Sequence, residues 1–260
     1  MIKAIAIQFL ADLYDRLRGK RRRVHPIDRT LGIETSQRVQ RFALATGSPN
    51  DAFSVGYGGA APSIIRKCLD LIGIDTATDF VDLGCGKGRA LIVAAEHPFR
   101  NLIGIELSAY LCSIARRNIA KLRPRALVAD RIVVLQGDAS HPALPEAPSV
   151  VLFFYNSFRR PLVQTLLTHL ESEIAKAPDR KVWFIHYNPV QFDVFDASPA
   201  FRRFSAAMFA FEEDERAAMP HTYDSVVIYQ SVSGPQIPAL QNAHAAVRIS
   251  IPDLGADVVG

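Results

Sequence analysis

The chain has 260 residues, 49% of them hydrophobic and 22% charged, which is ordinary globular composition with length enough for one substantial core. Its formal charge of +4 is unevenly placed: residues 1–25 hold seven lysines and arginines against two aspartates. The body is therefore close to neutral, which argues against a basic nucleic-acid-binding face. Three cysteines without paired spacing, Cys68, Cys85 and Cys112, offer no disulfide framework and no metal pattern. They fit a reducing compartment and so a cytoplasmic location, and no run of about 18 apolar residues is present to cross a membrane.

In residues 1–17, Ile2, Ile5, Ala6, Phe9, Leu10, Leu13 and Leu17 fall on one helical face, and the basic cluster Arg18 to Arg23 follows. A secretory signal would put its charge before the apolar run. A segment of this kind can make a peripheral contact with an anionic membrane through residues 1–23. The simpler reading, which we prefer, is a helix packed on the domain and followed by a solvated linker. Residues 24–60 are rich in Gly, Ser, Thr and Pro and read as an extended lead-in. Residues 1–60 thus form an amphipathic helix, a basic linker and a lead-in loop.

Pro62 suits the first turn of a helix, with Ile64, Ile65, Cys68, Leu69 and Ile72 on one face and Gly73 as its stop. Strands and helices then alternate. Strands are expected at 79–83, 102–106, 131–136, 150–155 and 181–187, and their continuous apolar character suits a parallel sheet buried on both faces. Helices are expected at 89–96, after the candidate N-cap Ser108, and from Pro161. Residues 204–211 and 223–230 read as an antiparallel pair joined by a polar loop without a helix. The domain spans 61–233, and 234–260 reads as a loosely held tail.

The chemistry concentrates in Asp82-Leu83-Gly84-Cys85-Gly86-Lys87-Gly88-Arg89, between the first strand and the following helix. Glycines allow a sharp turn and a close approach of backbone to ligand. A phosphate-cradling loop would need Gly at 81 and Ser or Thr at 88, where Val and Gly stand. A dinucleotide loop would need Gly at 89, where Arg stands, and Asp82 would repel a pyrophosphate. A carboxylate instead attracts a ligand that carries a sulfonium and an ammonium group and no phosphate. That describes S-adenosyl-L-methionine. Glu106, ending the second strand, is placed to accept ribose hydroxyls. Asp138 and Asn156 follow the third and fourth strands, so four polar groups gather at four strand ends.

With these residues the segment from about 60 to 230 resembles the class I, seven-strand, Rossmann-like S-adenosylmethionine-dependent methyltransferases. The resemblance implies an α/β, doubly wound sheet of order 3-2-1-4-5-7-6 with strand 7 antiparallel, here with an N-terminal helical extension. It implies that Asp82 and the backbone of Gly84, Cys85, Gly86 and Gly88 hold the methionine part, Glu106 the ribose, and Asp138 with Ala139 the adenine. The stretch around Asn156 is similar, in part, to the post-strand motif of seven-strand protein lysine methyltransferases, which makes Asn156 a candidate for orienting an acceptor. Tyr57 sits where those enzymes place a cofactor-covering loop. Tyr155 and Ser157 depart from that motif. Phe153, Phe154 and Phe158 read as core. His186 and Tyr187 border the acceptor side or serve the core.

The function so implied is in-line methyl transfer to an unidentified acceptor, a small molecule or a protein side chain such as lysine, without a metal. A non-catalytic module that keeps the cofactor site is the alternative. A nicotinamide oxidoreductase is a third reading, disfavoured by Arg89.

Overall fold

The computed structural model describes residues 24–122, 129–219, 222–234, 236–251 and 256–259. The expected amphipathic helix and basic cluster at 1–23 lie outside them. Seven strands form one sheet: β1 (Thr78–Leu83), β2 (Leu102–Glu106), β3 (Ile132–Gln136), β4 (Ser149–Tyr155), β5 (Lys181–Tyr187), β6 (Phe201–Ala210) and β7 (Tyr223–Ser231). Their order is β3-β2-β1-β4-β5-β7-β6. Strands β1 to β5 run parallel where they pair, and β7 lies antiparallel to both β5 and β6. The doubly wound, seven-strand architecture is therefore the one expected.

Helices cover both faces. On one side lie α2 (Pro62–Ile72), α3 (Arg89–Ala94) and α4 (Ala109–Leu122), which share a core with Phe80, Phe153 and Ile185. On the other, α5 (Arg160–Lys176) and α6 (Phe192–Asp196) bury Leu166, Leu170 and Phe195 against Val81, Leu152 and Phe184. Every residue of β1 is buried, as a strand between two helical layers requires. At the lower end of β1, Asp79 accepts from Arg100 Nε at 3.0 Å and Nη2 at 2.7 Å and from Asn101 N at 3.0 Å. This fixes β1 against the start of β2 and leaves the carboxyl ends of the strands to form the site.

Three regions differ from the sequence reading. The lead-in is built rather than extended: α1 (Pro26–Leu31) is followed by 3-10 turns at Arg41–Leu44 and Pro49–Ala52. A four-residue helix, α7 (Glu213–Arg216), occupies the expected polar loop, and α6 follows β5. Both are too short for periodicity to reveal. The described part of the tail is held down. Leu240 N donates to Phe204 O at 2.8 Å and Val247 is fully buried. Strand β8 (Arg248–Ile251) pairs with β9 (Ala256–Val259).

Candidate active site

The loop after β1 makes three left-handed turns, at Gly84 (φ 82°), Gly86 (φ 54°) and Gly88 (φ 82°). Space forbids side chains as firmly as φ does. A Cβ at Gly84 would lie 2.3 Å from Ser157 Oγ, and one at Gly86 2.3 Å from the Tyr57 ring. The alternation of glycines read in the sequence thus has a local cause.

Asp82 and Glu106 lie at the ends of β1 and β2 and are both buried. Glu106 organises the loop. Its Oε2 accepts from Gly86 N at 3.0 Å and its Oε1 from Ser108 N at 2.8 Å, which ties the glycine turn to the start of α4. Burial pushes its carboxyl above the usual range, while the amides of Ser108, Gly86 and Leu107 pull it back. Each carboxylate oxygen keeps a second lone pair for a ligand hydroxyl. Asp82 accepts no hydrogen bond and meets no cation among the described residues. Burial, then the charge of Glu106, hold its carboxyl well above the ordinary value.

Asp138 is exposed at the rim after β3. Its Oδ1 accepts from Ser140 N at 2.9 Å and its Oδ2 from Asn50 Nδ2 at 2.7 Å. Ala139 beside it is buried. Asn156, directly after β4, adopts φ 43°, and its buried Oδ1 has no hydrogen-bond partner among the described residues. Asp82, Gly84, Cys85, Gly86, Glu106, Asp138, Ala139, Tyr57 and Asn156 all line one cavity of about 950 Å³. Gly88 does not line it. Its φ opens α3, and a Cβ there would meet Ala115 at 3.3 Å.

The segment 33–60 forms a strap over the cavity. Tyr57 pairs with Val39, its hydroxyl donates to Thr35 O at 2.7 Å, and its ring stands over Gly86. The hydroxyl is thus spent on the strap, and burial pushes the phenol pKa up, so the ring covers and the oxygen does not act as a base. The strap also bonds the loop after β4: Arg159 N donates to Phe53 O at 2.7 Å and Val55 N to Ser157 O at 3.4 Å.

Two residues of the glycine loop anchor this strap, and the sequence reading assigned neither. The buried Lys87 Nζ donates to Glu34 Oε1 and, at 2.8 Å, to Gln37 O, and lies 5.1 Å from the Tyr57 ring centroid. Arg89 Nε donates to Thr35 Oγ1 at 2.7 Å and Nη1 to Ala60 O at 3.2 Å. The available signal was a cation on a short helix whose other residues are all apolar, where burial demands partners.

Of the two readings of His186, the structure fits the core one. Among the described residues it neither borders the cavity nor takes a hydrogen bond. Both ring nitrogens are buried without partners among the rings of Phe154, Phe184 and Phe195, and burial lowers its pKa to about 3. Tyr187 serves the frame: its hydroxyl donates to Asp224 Oδ2 at 2.6 Å and accepts from Ala61 N at 3.1 Å. Phe153, Phe154 and Phe158 are core residues as expected, with Phe153 and Phe158 also reaching the cavity wall. Among the described residues no group of three or more His, Cys, Asp or Glu is placed to hold a metal ion, and no helix is long and apolar enough to cross a membrane.

A parallel five-strand sheet extended by an antiparallel β7, with a glycine turn after β1 and an acidic residue ending β2, is the class I, S-adenosylmethionine-dependent methyltransferase fold. Residues 80–177 match the family described as "Methyltransferase domain". The methyl donor of such a domain is S-adenosyl-L-methionine. Among curated proteins, the chain is 32% identical over 84 residues to nocamycin O-methyltransferase of Saccharothrix syringae, covering 32% of this chain and 28% of that protein. It is 30% identical over 89 residues to protein-L-isoaspartate O-methyltransferase of Thermococcus onnurineus, covering 34% and 39%. The chain thus matches well under half the length of these relatives. Among solved structures, an RNA methyltransferase from Salinibacter ruber in complex with S-adenosyl-L-homocysteine is 22% identical with a TM-score of 0.43, over 71% of this chain and 99% of that one. TrmN from Thermus thermophilus is 17% identical with a TM-score of 0.49, over 67% and 50%.

Proposed function

We propose that the protein is an S-adenosylmethionine-dependent methyltransferase acting on a small molecule or a protein side chain. The observation that carries this reading is Asp82: a buried carboxylate beside a second one, with no cation of its own, at the mouth of a cradle that only glycines allow. A buried charge without a partner is costly, and a ligand ammonium supplies the missing one. The residues present therefore fit the cofactor.

When bound, S-adenosylmethionine supplies a methyl group already activated by its sulfonium. Asp82 and the bare backbone of Gly84, Cys85 and Gly86, which a ligand can approach closely, hold the methionine part. Glu106 accepts the ribose hydroxyls with the lone pairs its two backbone contacts leave free. Asp138 and the Ala139 amide take the adenine. Tyr57 covers the loop and keeps water off it, while Asn156 aligns the acceptor. Alignment of a nucleophile with an activated methyl group supplies much of such a rate. The neutral charge of the body speaks for an acceptor other than nucleic acid, and three free buried thiols suit a cytoplasmic setting.

The test is transfer of label from methyl-tritiated S-adenosylmethionine into extract fractions separated as protein, nucleic acid and small molecules. Label appearing in the protein or small-molecule fraction, and lost with Asp82→Asn, supports the reading. Cofactor binding without transfer to any fraction supports a non-catalytic module instead.

A further inference from the structure

We propose that the acceptor carries an anionic group, a carboxylate or a phosphate, drawn in by the guanidinium field of Arg38, Arg89 and Arg159 over the end of β4. The inference rests on the cofactor reading above and deepens it to a class of acceptor.

Sheet order sorts the charges on the cavity wall. The carboxylates there are Asp51, Asp82, Glu106 and Asp138, and the cations Arg38, Arg41, Arg89 and Arg159. Asp82, Glu106 and Asp138 lie at or just past the ends of β1, β2 and β3, which are neighbours on one side of the sheet. Strand β4 is next beyond β1, and there the sign reverses. A Cβ at Gly58 would lie 3.9 Å from Arg38 Nε, and one at Gly59 2.5 Å from Arg89 Cζ. Both guanidiniums thus stand beside the strap where it leaves Tyr57. Their charge reaches Tyr155, the last residue of β4: burial, then Asp224, push its phenol up, and Arg38 and Arg89 pull it back. Arg159 lies just past β4, and its amide is tied to Phe53 O at 2.7 Å. Arg41 holds the adjoining turn through Ala52 O at 3.2 Å.

The carboxylates of the wall are committed elsewhere. Asp51 accepts from Thr46 Oγ1 and from the amides of Thr46 and Gly47, and the other three belong to the cofactor end. Asp224 does not line the cavity and accepts from the Tyr187 hydroxyl at 2.6 Å. A cleft wall of one sign focuses the field and concentrates ligands of the other sign. The donor half is therefore matched to a sulfonium and an ammonium, and the acceptor half to an acid. Phe153 and Tyr155 add apolar surface to the same cavity, which suits an acid borne on an aromatic or apolar frame. One such wall on a near-neutral body favours a small acid over a nucleic acid.

The test is saturation-transfer NMR on the full chain loaded with S-adenosylhomocysteine, with benzoate, phenyl phosphate, benzamide, benzylamine and a short single-stranded oligouridylate as probes. Benzoate or phenyl phosphate should bind at least ~5-fold tighter than benzamide or benzylamine, and the tighter of the two acids names the group. That preference should shrink in Arg38→Gln and in Arg159→Gln and vanish in the double variant. It should persist in Arg117→Gln, which removes an exposed charge on α4 away from the cavity wall. In the wild type it should also weaken as salt rises from about 50 to about 500 mM. S-Adenosylhomocysteine affinity should stay as in the wild type throughout. Equal binding of acids and benzamide, a preference that survives the double variant, an equal loss in Arg117→Gln, tighter binding of the oligouridylate than of either acid, or no probe binding overturns the inference and leaves the cofactor reading standing. Failure to load S-adenosylhomocysteine overturns the cofactor reading itself.

Discussion

Asp79 and Asp82 lie three residues apart on β1 and are both buried, yet among the described residues only Asp79 has a cation, the guanidinium of Arg100. The contrast separates a structural carboxylate at the foot of the sheet from one held in readiness for a ligand at its head. Its energetic sign is definite. Burial and Glu106 raise the folded Asp82 pKa well above 3.8, so between the ordinary carboxylate range and that raised value the unfolded chain has released a proton the folded chain keeps. Stability contributed by this group is therefore lost as pH rises through that window. Asp82→Asn should make the ligand-free protein more stable at about pH 8, by on the order of 1–3 kcal/mol. Thermal melts of wild type and variant across the pH range will read this as two curves that diverge with rising pH.

Glu106 is raised by burial as well, but unlike Asp82 its carboxylate is held by the backbone of Gly86 and Ser108. Glu106→Gln replaces one acceptor oxygen by a donor that faces a backbone N–H. We expect a loss of about 1–3 kcal/mol of stability together with weaker cofactor binding. Denaturant unfolding and calorimetric titration of the same preparation will show both losses, whereas loss of stability without loss of affinity would remove Glu106 from the ribose site.

Tyr57 covers the loop by shape. Its ring excludes any side chain at Gly86, and its hydroxyl is turned to Thr35. Tyr57→Phe keeps the cover and should keep most of the transfer rate, while Tyr57→Ala opens it and should speed S-adenosylhomocysteine dissociation by about 10-fold, the scale of a lost aromatic contact. Stopped-flow release kinetics distinguish a cover from a catalytic hydroxyl, for which Phe would be as damaging as Ala.

His186 tests the aromatic core. Its folded pKa of about 3 lies below the ordinary 6.5, so its contribution to stability is complete above about pH 6.5 and is lost as pH falls toward 3. His186→Phe removes that loss and should leave the protein about 2 kcal/mol more stable than wild type near pH 5. Urea midpoints at about pH 5 and pH 8 measure it; a gain of equal size at both would point to packing rather than titration.

Much of this molecule was legible in its residues. The bounds of β2 and β5 coincide with the apolar runs that announced them, because strands between two helical layers have little but apolar residues to use. The turns after β1 were legible because φ and crowding both demand glycine. The strap was not. Its helical turns are four residues each, and its order comes from contacts more than 20 residues distant, such as Lys87 with Glu34 and Asn50 with Asp138, which no local pattern records.

The most direct measurement is a calorimetric titration of the full chain with S-adenosylhomocysteine, wild type beside Asp82→Asn. The cofactor keeps its ammonium group after methyl transfer, so the uncompensated carboxylate should still be read. We predict saturable one-site binding by the wild type and an affinity at least ~10-fold lower in the variant, the scale of a lost charge-assisted hydrogen bond. Absence of binding to the wild type, or equal affinity in the two proteins, would contradict the account.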